Sequence, residues 1–152
     1  MSLEDLPPQK LQKAVLEYFG ERFGLGAGAF EPYGLYLGSK GRVFLGPKQA
    51  IPKPRIVTIG LLVARVTDSI KPTTNLLQCF GKQVTKNAIE LGREQALAYA
   101  RGADLMLNEG LAASDGYVLL RYKGHMLGCG HLRGRAVKNM LPKAKRLDLR
   151  FI

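Results

Sequence analysis

The feature that most constrains the fold is a pair of strand-like segments near the C-terminus. Residues 116–122 alternate apolar and other side chains and lead into a Lys-Gly dipeptide, after which residues 125–132 form a returning segment. Gly128 and Gly130 leave room for another backbone or a ligand to come close. The pattern predicts two paired strands joined by a turn, and therefore a C-terminal unit that is mostly β-structure.

The rest of the chain predicts a mixture of helices and strands. Apolar residues recur at helical spacing after Pro7-Pro8 and stop before Gly24, which predicts a helix over 8–23. The other predicted elements are a hairpin over 33–45, a strand over 56–66, a short helix ending at 79–81, a strand over 84–91, a helix over 93–99 that breaks at Gly102, and a final strand over 146–151.

Length and patterning indicate a small α+β protein. The 152 residues are 46% hydrophobic, which is enough apolar material for the core of one domain or of two small ones. The best boundary lies at 81–83. We therefore predict an N-terminal α+β unit over 1–82 and a mostly β unit with one helix over 83–152.

The sequence also favours one compartment. No stretch approaches the roughly 20 apolar residues of a membrane span. The first ten residues, MSLEDLPPQK, lack the basic and apolar regions of a secretory signal. We therefore expect a cytoplasmic protein with no membrane partner.

Positive charge is concentrated in the last quarter of the chain. Residues 116–152 contain nine Lys and Arg and one acid, Asp148, which gives +8 of the chain's formal charge of +11. These cations are interleaved with apolar runs and glycines, so they are expected on a folded surface. Such a surface usually binds a polyanion.

The densest part of this charge is the run from Arg133 to Arg146, which is predicted to be a loop. Seven of its side chains can donate hydrogen bonds to phosphate, and Asn139 could also contact a base edge or a 2′-hydroxyl. Tyr117 and Tyr122, on the neighbouring strand, could stack on bases or could belong to the core. The alternative is a solvated loop on a basic protein.

Two histidines and a cysteine raise the question of a metal. His125, Cys129 and His131 would share one face of a regular strand, but three strand residues are too few for a closed four-ligand zinc site. We predict no metal. Cys79 and Cys129 are 50 positions apart without CxxC spacing, and both are expected to be buried.

No spacing in the chain identifies a catalytic site or a nucleotide cofactor. The sequence contains no GxSxG, HExxH, GxGxxG or GxxxxGK[ST] pattern. We therefore predict a non-enzymatic protein without a cofactor.

Several motifs are similar to those of a known family. The run Ala100-Arg-Gly-Ala-Asp-Leu-Met106, the segment 116–120 and the segment 126–130 resemble a PUA domain. Segments 71–72, 79–82, 128–130, 138–139 and 142–143 resemble the C-terminal region, pre-PUA plus PUA, of Nol/Nop/Sun-type RNA cytosine-5 methyltransferases.

This resemblance implies a fold and a function. The fold would be a small N-terminal α/β unit followed by a PUA-like mixed β-barrel with one or two short helices. The function would be RNA binding, with rRNA or tRNA as target, in ribosome biogenesis or RNA modification. The chain is expected to lack the methyltransferase domain, because it is short and neither cysteine has the Pro-Cys or Thr-Cys setting of the catalytic cysteines.

The predicted RNA-binding residues are mainly basic. They are Arg101, Arg121, Lys123, His131, Arg133, Arg135, Lys138, Asn139, Lys143, Lys145 and Arg146, with Lys71, Lys82 and Lys86 as possible additional contacts. An alternative hypothesis is a protein adaptor that recruits an RNA methyltransferase or a ribosome-assembly factor through its N-terminal unit. The hairpin over 33–45 would provide the edge for that partner.

Overall fold

A computed structural model describes residues 3–48 and 60–146 of the chain. Its first long element is helix α1, Pro8–Phe23, with bounds identical to those predicted. Leu11, Val15 and Phe19 lie one turn apart and are buried on a single face. The helix ends at Gly24, whose left-handed backbone (φ 69°) favours glycine. Within the described residues, no helix combines the length and apolarity that crossing a bilayer requires.

The N-terminal unit contains an antiparallel sheet that follows chain order. Its strands are β1 (Tyr33–Leu37), β2 (Arg42–Pro47), β3 (Leu61–Val66) and β4 (Ile70–Pro72). The predicted hairpin is confirmed as β1 and β2, which pair Leu35 with Leu45. Strand β3 matches the C-terminal part of the strand predicted over 56–66, while residues 56–59 lie outside the described ranges.

Helix α2, Thr74–Phe80, connects this sheet to the C-terminal unit and confirms the predicted short helix. Thr73 caps it, because its hydroxyl oxygen accepts a hydrogen bond from the Leu76 amide at 3.2 Å. The exposed position of Cys79 on this helix shows that the prediction of a buried thiol there was wrong.

The C-terminal unit is built on a mixed five-stranded sheet. Its elements are β5 (Ala88–Glu90), α3 (Arg93–Ala100), β6 (Leu105–Met106), β7 (Gly116–Tyr122), β8 (His125–Arg133) and β9 (Ala136–Asn139). The strand order is β5-β7-β8-β9-β6, in which only β5 and β7 pair in parallel. A mixed sheet with one helix confirms the predicted α+β class and PUA-like architecture.

The predicted strand pair and its turn are confirmed as β7 and β8. Lys123 and Gly124 join them with positive φ angles of 44° and 81°, as expected for the tight turn that suits twisted antiparallel strands.

Two predictions in this unit were wrong, and two short strands of the chain were not predicted. The run from Arg133 to Arg146 is not one loop, since it contains β9 and a short 3-10 turn over Lys143–Lys145. The strand predicted over 84–91 is limited to β5. The short strand β6 of this unit and the short strand β4 of the N-terminal sheet were missed, because two or three residues show no sequence periodicity. The final strand predicted over 146–151 lies almost entirely outside the described residues.

The two faces of β7 and β8 pack against different cores. One face contributes Leu119 and Cys129 to a cluster with Phe19 of α1 and Val43 of β2. The other face packs under α3, with Tyr99 at its centre. A sheet that supplies both cores connects the two predicted units, and the domain boundary at 82 and 83 stays a prediction.

Candidate nucleic-acid interface

Three polar side chains occupy one face at the end of β8 and β9. His131 lies opposite Lys138, and Arg133, two residues further along β8, lies on the same side of the sheet. We call His131, Arg133 and Lys138 the β8–β9 face. Across β7, the Tyr117 ring meets the His131 ring edge-on, with ring centroids 4.8 Å apart.

A shallow depression of about 550 Å³ lies beside these three residues. Its rim at β6 contains Met106, which is 67% exposed, and Asp104. One carboxylate oxygen of Asp104 accepts a hydrogen bond from the backbone amide of Asn139 at 2.8 Å. The depression therefore combines two cations, the His131 ring, an exposed thioether and one carboxylate.

Asn139, which was predicted to contact RNA, is committed to the protein interior. Its side-chain nitrogen donates to the carbonyl oxygens of Tyr99 and Ala103, both at 2.8 Å. Its side-chain oxygen accepts from the Leu141 amide at 2.8 Å, and the residue is buried. We therefore remove Asn139 from the candidate contacts.

A second group of predicted cations comprises the residue that follows α3 and three residues that follow β9. Arg101 is exposed directly after α3, and Lys143 is exposed on the 3-10 turn over Lys143–Lys145 that follows β9. Lys145 donates to the side-chain oxygen of Gln78 at 3.1 Å, and the Arg146 Nε donates to the Leu141 carbonyl at 3.3 Å. Hydrogen bonds within the protein therefore constrain Lys145 and Arg146 more than the side chains of the β8–β9 face.

The third group lies at the opposite end of β8. Lys123 belongs to the turn before β8. Arg135 belongs to the turn after β8, at the end where Arg133 lies, and the nine residues of the strand separate the two turns by about 30 Å. Arg121 forms an ion pair with Glu90 at 3.1 Å. The exposed Lys86 lines a polar depression together with Arg121, and Lys82 is exposed on the turn after α2. The predicted residues are thus divided among separate surfaces.

The predicted common face of His125, Cys129 and His131 is wrong. A bulge in β8 pairs Arg121 with Met126 but Leu120 with Gly128, which reverses the alternation ahead of Cys129. His125 consequently lies on the opposite face from Cys129 and His131. Burial raises the pKa of the Cys129 thiol to about 12. No cluster of three or more metal-binding side chains occurs within residues 3–48 and 60–146.

The sequence did not indicate a cleft that the fold forms between the two units. Arg65 and Lys71, which pair across β3 and β4, face Tyr117 and Met140 there. Lys71 was among the predicted additional contacts, but Arg65 was not. It ends an apolar run, and only the pairing of β3 with β4 sets it beside another cation.

A second missed residue, Arg22 at the end of α1, connects the units structurally. Its Nε donates to the Tyr117 carbonyl at 2.7 Å, and its two terminal nitrogens donate to the hydroxyl and carbonyl oxygens of Ser114 at 2.7 and 2.6 Å. These partners are more than 90 residues away in the chain, so no local sequence signal could have identified them.

Comparison with known proteins assigns the C-terminal unit. Residues 86–147 match the family model described as the PUA domain of the methyltransferase RsmF. The chain is 27% identical over 145 residues to ribosomal RNA small subunit methyltransferase F of Psychromonas ingrahamii, and 31% identical over 140 residues to the protein of that name from Aeromonas hydrophila.

Both alignments cover 90% of this chain but only 29% and 28% of the relatives, so the chain spans less than a third of the length of the proteins it matches. The matched region contains the mixed sheet, α3 and the β8–β9 face. The resemblance to a PUA domain predicted from the sequence is confirmed by the match of residues 86–147 to the family model of the RsmF PUA domain.

Proposed function

We propose that this chain binds RNA through the β8–β9 face of its PUA domain. The observation that supports this best is the alignment of His131, Arg133 and Lys138 on one exposed side of paired strands. The relatives are named as ribosomal RNA methyltransferases, so we propose ribosomal RNA as the target.

The chemistry of the face suits a phosphate backbone. Arg133 offers a planar fork for bidentate contact, and Lys138 adds a point charge. The two ion pairs of the described residues, Lys13 with Glu17 and Arg121 with Glu90, do not involve this face. Its cations therefore do not have to break a salt bridge before they bind phosphate.

We further propose that this chain contributes binding and not the methyl-transfer step. The chain aligns with less than a third of the relatives' length, and its residues 86–147 match the PUA family model. Of the two thiols, Cys129 is fully buried, and burial keeps it protonated by raising its pKa to about 12. A thiolate nucleophile at that position is thus disfavoured.

Fluorescence anisotropy with a labelled fragment of small-subunit ribosomal RNA tests the proposal. If about six phosphates are engaged, the logarithm of the affinity should fall against the logarithm of salt concentration with a slope of about −4 to −5. The double variant Arg133→Ala/Lys138→Ala should reduce the magnitude of that slope by about 1.5.

A control variant removes the same amount of charge elsewhere. Lys10 and Lys13 are exposed on α1. Gln12 of the same helix contacts β1, which is at the edge of the N-terminal sheet opposite to β4. Lys10→Ala/Lys13→Ala should leave the slope nearly unchanged. A wild-type slope near zero, or an equal effect of both double variants, would contradict a specific binding face.

The adaptor hypothesis has a structural observation of its own. Strand β1 is an edge strand of the N-terminal sheet, and its Tyr33 and Tyr36 are 46% and 40% exposed. An exposed edge with large side chains can pair with another chain. Copurification of a methyltransferase or assembly factor should fail for Tyr33→Ser/Tyr36→Ser under this hypothesis, and unchanged recovery would exclude this surface.

A further inference from the structure

We propose that the cleft between the two units, here called the junction cleft, holds one unpaired nucleotide of the bound RNA. Its base would lie between Tyr117 and Met140, and the adjoining phosphates would contact Arg65 and Lys71. This inference rests on the proposed RNA-binding function and specifies the structure of the RNA: a single-stranded segment.

The wall contributed by the N-terminal unit is cationic. Arg65 of β3 and Lys71 of β4 are directly paired in the sheet, and both side chains are exposed at the cleft. Neither is part of an ion pair within the described ranges 3–48 and 60–146. Two adjacent cations without an acidic partner favour an anionic ligand, such as successive phosphates of one strand.

The opposite wall is suited to a flat, apolar group. Tyr117 is half-buried, and its ring is held edge-on by His131 at 4.8 Å. Met140, which is 36% exposed, contributes a polarisable thioether. Bases stack on such side chains with little regard to sequence, because every base has a π-face.

The size of the junction cleft limits what can enter it. Its volume is about 240 Å³, which is below the range of roughly 300–1,000 Å³ for pockets that enclose whole small-molecule ligands. A single base fits this limit, whereas a base pair within a duplex does not. Entry therefore requires a nucleotide that is already unstacked and unpaired.

One polar group in the cleft has hydrogen-bonding capacity for a base. The hydroxyls of Thr73 and Thr74 are engaged with backbone groups at 2.6 to 3.2 Å. The side-chain nitrogen of Asn75 makes only a long contact of 3.5 Å to the Leu62 carbonyl. In the part of the chain that the structure describes, the Asn75 side-chain oxygen accepts no hydrogen bond and can face a base edge.

The junction cleft is continuous with the β8–β9 face. Tyr117 contacts His131 of that face and also lines the cleft, so the two surfaces meet at this residue. One RNA strand could therefore run from Arg133 and Lys138 over Tyr117 to Arg65 and Lys71. The two units would then bind the RNA jointly.

A 12-nucleotide single-stranded RNA with a central 2-aminopurine provides the test, because stacking quenches the fluorescence of that base. The full chain should quench it and bind it at least tenfold more tightly than the matching duplex. Arg65→Ala/Lys71→Ala should weaken binding about tenfold and reduce the salt slope by about 1.4. Met140→Ala should restore part of the fluorescence.

The controls separate this inference from the proposed function. Lys10→Ala/Lys13→Ala again removes two distant cations, and circular dichroism checks that each variant is folded. If the wild-type chain binds neither RNA, the proposed function itself fails. A second outcome is that the wild-type chain binds RNA and Arg133→Ala/Lys138→Ala reduces its salt slope. If Arg65→Ala/Lys71→Ala and Met140→Ala then leave affinity, slope and fluorescence unchanged, the junction cleft is not a nucleotide site. Equal affinity for the duplex would also overturn the inference.

Discussion

At the scale of single residues, neighbours in the sequence have opposite roles. Lys138 is exposed on the β8–β9 face, whereas Asn139 next to it points into the core beneath α3. The pleat of β9 explains the difference, since successive side chains of a strand lie on opposite faces. Asn139 fixes the end of α3 and the start of the chain after β9, which helps to hold the binding face in position.

Asn139→Ala should destabilise the protein by about 3 kcal/mol. The substitution leaves the carbonyls of Tyr99 and Ala103 and the amide of Leu141 without their buried partner. Urea unfolding measures the loss. Lys138 is the neighbouring exposed residue, and Lys138→Ala should change the free energy of unfolding by less than about 0.5 kcal/mol. Similar losses for both variants would mean that the buried Asn139 side chain does not stabilise the fold.

Stability should fall as pH rises from about 9 to about 12. The ordinary pKa of a thiol, 9.0, applies to Cys129 in the unfolded chain, whereas burial raises its pKa to about 12 in the folded protein. Between these values unfolding releases a proton, so each added pH unit costs up to about 1.4 kcal/mol. Burial also raises the pKa values of Tyr18 and Tyr99, which adds to the decline at the alkaline end.

Cys129→Ala provides the comparison for this pH dependence. Its unfolding free energy should decline less steeply between pH 9 and 10 than that of Cys79→Ala, which retains the buried thiol and lacks the exposed one. Parallel pH curves for the two variants would show that Cys129 does not contribute.

At the scale of elements, turns and pairings decide which surfaces form. The β1–β2 connection includes Lys40 and Gly41, both with positive φ angles of 58° and 71°. A side chain at Gly41 would overlap the carbonyl oxygen of Val66, the last residue of β3. The first hairpin is thus closely packed on the strand that also carries Arg65, so its geometry affects the wall of the junction cleft.

Gly41→Ala should cost at least 2 kcal/mol, because it combines left-handed backbone strain with a clash against main chain. Thermal or urea unfolding checks this value. Gly28→Ala is a matched control: nothing lies within 4 Å of the added carbon and the backbone is not left-handed, so the change should be within about 1 kcal/mol of neutral or stabilising. Equal effects would refute the close approach.

At the scale of the whole molecule, the two units depend on one another. Leu119 and Cys129 of the five-stranded sheet are buried together with Phe19 of α1. Asn87 adds a polar link, since its side-chain nitrogen donates to the Arg22 carbonyl at 2.6 Å and its oxygen accepts from the Ser114 amide at 3.0 Å. A proposed site that lies between the units requires such a fixed arrangement.

Arg22→Ala should destabilise the whole chain by about 2 kcal/mol while leaving a single unfolding transition. It removes three charge-assisted hydrogen bonds to Ser114 and Tyr117. Lys13→Ala, which removes an exposed ion pair at 3.9 Å, should change stability by less than about 0.5 kcal/mol. Two separate transitions in differential scanning calorimetry would instead show that the units fold independently.

The sequence by itself determined the local elements and the class of the domain. Helix α1, the β7–β8 strand pair and the short helix α2 depend on periodicity, capping and turn residues, which are local, and the PUA resemblance depends on motifs within short segments. Only the tertiary structure decided which cations share a surface. A single bulged residue in β8 turned His125 away from His131, and the pairing of β3 with β4 brought Arg65 beside Lys71. Pairing register and packing between distant segments are set by the whole fold, so no local pattern could specify the β8–β9 face or the junction cleft.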